Sequence, residues 1–185
     1  MAVGESRKAV FLDRDGVLNR AVVRAGRPYP PASVEEVELV PGVPEACAAL
    51  HAAGAFLFCV TNQPDVARGT ARREDVAAIN HHLQQKLALD DVATCYHDDK
   101  DGCECRKPRP GMLIDLAIRH RIELQHSVMV GDRWRDIEAG KRAGCRTVFV
   151  DYGYEEDRPA AADLACRSLA EALPWILNFL KAGRP

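Results

Sequence analysis

A chain of 185 residues can bury about 70% of its unfolded surface in one core, and its 47% hydrophobic and 28% charged residues are ordinary for a globular protein. A net charge of −2 gives no general attraction to nucleic acid or to an anionic membrane, and no apolar run approaches the roughly 20 residues that span a bilayer. The stretch Met1 to Lys8 lacks the apolar core of a signal peptide, so one cytoplasmic domain over residues 1–185 is expected.

Lys8 to Leu12 reads as a buried strand that runs into Asp13-Arg14-Asp15 and turns at Gly16. Residues 20 to 41, rich in proline, read as loop with a short strand at Glu38-Leu39-Val40. Pro41-Gly42 opens a helix with Val43, Ala46, Cys47 and Leu50 at helical spacing, and Gly54 stops it. Ala55 to Val60 is a continuous apolar strand, followed by a polar loop from Gln63 to Thr70 and a helix near Arg72 to Ala88. Val92 to Tyr96 is a third strand. After the loop from His97 to Arg109, Pro110 begins a helix as a good first residue. Ser127 to Val130 is a strand, the next helix runs from about Arg135 to Gly144, and Thr147 to Val150 is another strand. Residues 153 to 167 read as irregular. Ser168 to Glu171 forms a capping box for a last helix, in which Pro174 predicts a late start or a kink. Strands alternating with helices predict an α/β, three-layer αβα fold, with a parallel Rossmann-like sheet and helices on both faces. The interval from Asp15 to Thr61 is too short and too proline-rich for an inserted cap domain.

Four polar clusters fall at or just after strand ends: Asp13-Arg14-Asp15, Thr61-Asn62-Gln63, Arg106-Lys107-Pro108 and Gly131-Asp132. In an open α/β sheet they share the carboxyl rim, where ligands bind. Two carboxylates at i and i+2 raise each other's pKa unless a cation sits between them. Asp13, Asp15 and Asp132 offer oxygen ligands suited to Mg²⁺, while Thr61 and Lys107 offer a hydroxyl donor and a positive charge to phosphoryl oxygens. One carboxylate can attack phosphorus and the other can move protons. Singly, each residue has a plainer reading: strand-end Thr61, surface Lys107, helix-capping Asp132. Asp136, one helical turn beyond Asp132, reads equally as support for the site or as surface charge.

In this order the clusters Phe11-Leu12-Asp13-Arg14-Asp15-Gly16-Val17, Val60-Thr61-Asn62-Gln63, Arg106-Lys107-Pro108 and Val130-Gly131-Asp132 resemble the four motifs of the haloacid-dehalogenase superfamily. The resemblance spans residues 8 to 152. Asp15 matches the phosphatase branch, and the capless histidinol-phosphate and heptose-bisphosphate phosphatase subgroup fits best. It implies Asp13 as nucleophile, Asp15 as proton donor, Thr61 and Lys107 as phosphoryl stabilisers, and Mg²⁺ held by Asp13, Asp132 and the main-chain carbonyl of Asp15.

Three of the seven cysteines crowd together. Cys95, His97, Cys103 and Cys105 form a Cys₃His set suited to a closed, structural zinc site within loop 95–105, and the resembled enzymes also carry zinc. The plain alternative is a set of free thiols beside the acidic run Asp98 to Asp101. The other four cysteines read as small core residues, and no disulfide is expected.

Two features divide the subgroup. The segment Thr61 to Gly69 and the run Arg106 to Met112 resemble the heptose enzymes, whereas five residues between His97 and Cys103 resemble the histidinol enzymes. The expected reaction is Mg²⁺-dependent phosphomonoester hydrolysis, on heptose 1,7-bisphosphate before histidinol phosphate. The rival reading from another class is a zinc-stabilised binding domain without turnover. A bisphosphate needs a second cationic subsite, for which Arg24, Arg68, Arg106 and Arg133 are candidates, with Asn62 and Gln63 as further substrate contacts. The expected partner is a small phosphorylated molecule, and the chain is expected to act as a monomer or weak homo-oligomer.

Overall fold

The computed structural model describes residues 7–25 and 27–182, without the side chains of Arg24 and Arg27. In chain order the elements are β1 (Ala9–Leu12), β2 (Val22–Arg24), β3 (Arg27–Tyr29), α1 (Val43–Ala52), β4 (Phe56–Asn62), α2 (Arg73–Leu87), β5 (Asp91–Cys95), α3 (Gly111–His120), β6 (Val128–Gly131), α4 (Trp134–Ala143), β7 (Arg146–Val150), β8 (Leu164–Cys166) and α5 (Leu169–Ala182). Six of the strands form one parallel sheet in the order β5-β4-β1-β6-β7-β8.

The first strand sits at the centre, and its side chains alternate between two cores as the pleat requires. Val10 and Leu12 join α1, α2 and α5 on one face, through Leu50, Ile79, Leu83 and Ile176. Ala9 and Phe11 join α3 and α4 on the other, through Leu113, Leu116 and Ala139. These two layers of helix over one sheet are the expected αβα architecture. No helix among the described residues is long and apolar enough to cross a membrane.

Three local expectations change. The segment from 20 to 41 is more than loop: β2 and β3 pair antiparallel as a hairpin with Val22 opposite Tyr29, while Leu39 makes only a single bridge to Asn19. Pro28 lies within β3, and a two-stranded ribbon tolerates it because no second neighbour needs its missing N–H. The polar stretch after β7 contains β8, three residues that extend the sheet edge. The last helix starts at Leu169 and carries Pro174 inside it. Only half of the expected capping box forms: Ser168 Oγ accepts from Glu171 N–H, but the Glu171 carboxylate accepts from Arg167 N–H.

Pro174 faces solvent while Ala172, Ile176 and Leu180 bury the opposite side of α5. Replacing it restores one helical hydrogen bond without disturbing the core. Pro174→Ala is therefore expected to raise stability by about 1–3 kcal/mol in urea unfolding. A loss of stability would show that the proline is required at this turn.

Candidate active site

The chain turns from β1 to β4 on one side and reaches β6 on the other, so a crevice opens where the strand order reverses. The Asp13 N–H donates to the Val130 carbonyl at 2.9 Å and continues the ladder one residue past β1. A cavity of about 270 Å³ lies over this edge, lined by Asp13, Asp15, Thr61, Lys107 and Asp136, with Pro28, Tyr29 and Pro30 of the hairpin as one wall. Thr61 belongs to β4, which runs two residues further than its apolar stretch. The four clusters therefore meet, and Asp132 lies buried beneath them.

Lys107 is 2% exposed, and its ammonium has three acceptors: Asp13 Oδ1 at 2.6 Å, Asp136 Oδ1 at 2.6 Å and the Val60 carbonyl at 2.7 Å. Burial disfavours the charge, but the two carboxylates outweigh it and hold the ammonium above the usual lysine range. Asn62 fixes the backbone of the same residue from both sides, accepting from Lys107 N–H at 3.1 Å and donating to its carbonyl at 3.0 Å. Asn62, expected to bind substrate, is thus committed to holding the Lys107 loop. Asp136 resolves as support for the site, with its other oxygen accepting from Arg133 N–H at 3.0 Å. Gly131 makes this approach possible, since a Cβ there would lie 2.0 Å from the Asp136 Cβ.

Neither carboxylate oxygen of Asp132 has a hydrogen-bond partner, although the residue is 2% exposed. Gly16, at φ +94°, leaves room for it, because a Cβ there would fall 2.0 Å from Asp132 Oδ2. Carboxylate oxygens of Asp13, Asp132 and Asp136 lie within 4.8 Å of one another. Three carboxylates against the one Lys107 ammonium leave a formal excess of two negative charges. An unpartnered buried carboxylate within such a set fits a divalent cation bound by oxygen. Burial, then the charges of Asp13 and Asp136, push the Asp132 carboxyl well above its ordinary value. Burial also lifts Asp13 to about 7 against the opposing pull of Lys107.

Asp15 is held by three neighbours. Arg14 donates from Nε and Nη2 at 2.9–3.2 Å, Asn19 Nδ2 at 2.9 Å and Gln63 Nε2 at 2.9 Å. Arg14 is fully buried and donates onward to Asn80, which reaches Thr94. The sequence places Arg14 in the Asp13-Arg14-Asp15 cluster but gives it no role; its signal was a cation between two carboxylates. Gln63 also donates to Thr61 Oγ1 at 2.9 Å, so it, too, orients its neighbours in the cavity wall.

The candidate subsite cations with described side chains are paired. Arg106 is 8% exposed and meets Asp99 at 2.8 Å and the His97 carbonyl at 3.3 Å. Arg68 meets Asp98 at 2.6 Å, and Arg133 makes a two-point pair with Glu156, its Nε at 2.7 Å from Glu156 Oε2. The Arg24 side chain lies outside the described residues. Arg135, which the sequence reading did not single out, also lines the cavity and meets Asp99 at 3.2 Å.

Beside the cavity, Cys95, His97, Cys103 and Cys105 converge. Their sulfurs lie 3.2–3.7 Å apart, and His97 Nδ1 lies 3.3 Å and 3.6 Å from Cys105 and Cys95. A tetrahedral centre with metal–sulfur bonds of about 2.3 Å has edges near 3.8 Å, so the set fits one with slight expansion. All seven cysteines are free of disulfides.

A family model described as HAD-hydrolase-like matches residues 104–172. The chain is 35% identical to D-glycero-D-manno-heptose-1,7-bisphosphate 7-phosphatase of Thermosynechococcus vestitus, over 94% of this chain and 97% of that protein. The chain belongs to the haloacid-dehalogenase-like phosphatases. Another member of this phosphatase family, the D-glycero-alpha-D-manno-heptose-1,7-bisphosphate 7-phosphatase of Mycobacterium bovis, is 40% identical over 76% of this chain and 78% of its own length. The crystal structure of D,D-heptose 1,7-bisphosphate phosphatase from B. bronchiseptica, complexed with magnesium and phosphate, superposes with a TM-score of 0.78 at 32% identity. That match covers 93% of this chain and 98% of the crystal chain.

The buried carboxylates set a pH dependence for this phosphatase without metal. Folded, Asp13 keeps its proton to about pH 7, against an ordinary value of 3.8, and Asp132 shifts the same way. The folded chain therefore binds more protons than the unfolded one across that window, and stability falls as pH rises through it. The carboxylates held low by arginine, such as Asp98 at about 2, oppose this trend only at more acidic pH. The melting temperature in chelator is expected to drop between about pH 4 and 7. A flat or rising profile would contradict the buried, uncompensated site.

Proposed function

We propose that this phosphatase cleaves one phosphate from D-glycero-D-manno-heptose 1,7-bisphosphate through an aspartyl phosphate on Asp13. The observation that carries the reading is the juxtaposition of Asp13, paired with buried Lys107, and the unpartnered carboxylate of Asp132, whose oxygens lie within 4.8 Å of those of Asp13. The relatives named above, matched over most of the chain, point to the substrate.

Asp13 is the nucleophile. Its oxygen bonds to phosphorus as the bond from phosphorus to the sugar oxygen breaks, and Asp15 delivers a proton to that oxygen. Asp15 then takes a proton from water, whose oxygen attacks phosphorus and frees Asp13 and inorganic phosphate. Thr61 and Lys107 hold the phosphoryl oxygens, and Gln63 and Arg14 orient Thr61 and Asp15 for it. Asp13, Asp132 and the main-chain carbonyl of Asp15 would hold Mg²⁺, which when bound would supply positive charge to the phosphoryl oxygens. Arg133 faces the second phosphate, where a planar guanidinium gives two-point recognition, and Arg106, paired with Asp99, adds positive charge beside it.

Cys95, His97, Cys103 and Cys105 hold a structural zinc that stiffens the turn delivering Arg106 and Lys107. The unpaired thiols suit a reducing cytoplasm. One unit over residues 1–185 carries the whole site.

The test is phosphate release from heptose 1,7-bisphosphate, histidinol phosphate and an aryl phosphate, with and without Mg²⁺. Heptose bisphosphate is expected to give the highest kcat/KM, and Asp13→Asn to lower turnover by at least about 10³-fold, as expected for a lost nucleophile. Preference for histidinol phosphate would overturn the substrate, and no Mg²⁺-dependent turnover on any of the three would overturn the reaction. Metal analysis of undialysed protein is expected to find about one zinc per chain. Less than about half an equivalent would remove the structural zinc site.

A further inference from the structure

Each guanidinium lining the cavity meets an acid before any substrate arrives. Arg106 and Arg135 share Asp99, and Arg68 is held by Asp98, with Asp65 at 3.6 Å. Asp98 and Asp99 belong to one fixed turn. Asp98 accepts from Asp99 N–H at 2.8 Å, while Asp101 Oδ2 accepts from Asp98 N–H at 2.8 Å, next to the thiol cluster. Asp98 is held by that turn, and the Asp99 carboxylate bridges two arginines at once.

The fourth pair is built differently. Glu156 lies in residues 151–163, a stretch between β7 and β8 without helix or strand, and its described contacts are the two to Arg133. It reaches into the cavity wall with its side chain 20% exposed, while the Arg133 side chain is 42% exposed. Arg133 directly follows Asp132, so its guanidinium is tethered to the reacting edge. Of the four pairs, only this one draws its acid from the irregular segment between β7 and β8.

We propose that Glu156 determines specificity at the far end of the cavity, acting as an internal counter-ion on Arg133 that the second phosphate of a sugar bisphosphate displaces. A dianionic phosphate can repay the loss of the carboxylate with two hydrogen bonds of the same geometry. A neutral hydroxyl at that end of a monophosphate cannot, so Glu156 stays on Arg133 and the monophosphate gains nothing there. The acid thus weakens bisphosphates by the cost of its own displacement and leaves monophosphates untouched, narrowing the preference that Arg133 alone would give. The inference rests on the proposed sugar-bisphosphate reading, in which Arg133 faces the second phosphate.

The experiment measures inhibition of 4-nitrophenyl phosphate hydrolysis by a hexose 1,6-bisphosphate and by a hexose 6-phosphate, for the wild type and Glu156→Gln. Removing the competing charge is expected to tighten the bisphosphate about three- to fivefold, equivalent to about 0.7–1 kcal/mol, and the monophosphate less than about 1.5-fold. Glu156→Ala, checked for an unchanged melting temperature, is expected to give the same ratio. Equal changes for both inhibitors, or none, would reduce Glu156 to an anchor for its loop and overturn the inference. Turnover of heptose bisphosphate is measured alongside. Its absence with the inhibition ratio intact would sink the substrate and leave the counter-ion, whereas turnover with an unaltered ratio would do the reverse.

Discussion

A single buried ammonium organises this site. Lys107 is almost wholly buried, and a charge in that position costs several kcal/mol unless its neighbours replace the lost solvent. Its three acceptors do so from three elements: Asp13 after β1, Val60 in β4 and Asp136 in α4. The pairing therefore ties together the strands on either side of the switch point and the helix that follows β6. It also explains details at a distance. Asn62 must grip both backbone groups of Lys107, and residue 131 must lack a Cβ for Asp136 to approach.

The same pairing leaves the site electrically incomplete. Lys107 balances one carboxylate of three, and Asp132 has neither donor nor water-facing surface to balance it. Folding has assembled a charge deficit at the place where a divalent cation and a phosphate dianion would meet. Charges fixed in place by the fold need little reorganisation when charge develops, the condition under which electrostatic stabilisation is strongest. On the proposed reading, stability given up in forming the apo site reappears as affinity for metal and transition state. Asp15 stands apart from this deficit because Arg14, buried and anchored on Asn80, matches it.

Much of this was legible in the sequence because its cause is local. Apolar runs that stop at a polar cluster mark parallel strands and put those clusters on one rim, so Asp13, Asp15, Thr61, Lys107 and the buried neighbour Asp132 could be gathered before any coordinates. What escaped depends on long-range partners. The β2–β3 hairpin has strands too short for a period and a proline in one of them, yet its Tyr29 and the following Pro30 wall the cavity. Asn62 and Gln63 read as substrate ligands because polar side chains on a rim usually face solvent; here Lys107 and Asp15 claim them. The pairing of every described subsite arginine with an acid was equally hidden, since Glu156 lies 23 residues from Arg133. The helix α5 starts before Pro174 and not at it, because burial of one face of α5 outweighs the single hydrogen bond the proline removes.

The central claim is that Asp13, and not Asp15, becomes covalently bonded to phosphorus. Acid quenching during turnover, reduction with borohydride and peptide mapping by mass spectrometry would read it directly, because an acyl phosphate is reduced to the alcohol while a free carboxylate is not. The account predicts the reduced side chain at position 13 alone, in substrate-treated enzyme only. Reduction at Asp15, or none at either position while turnover proceeds, would contradict it.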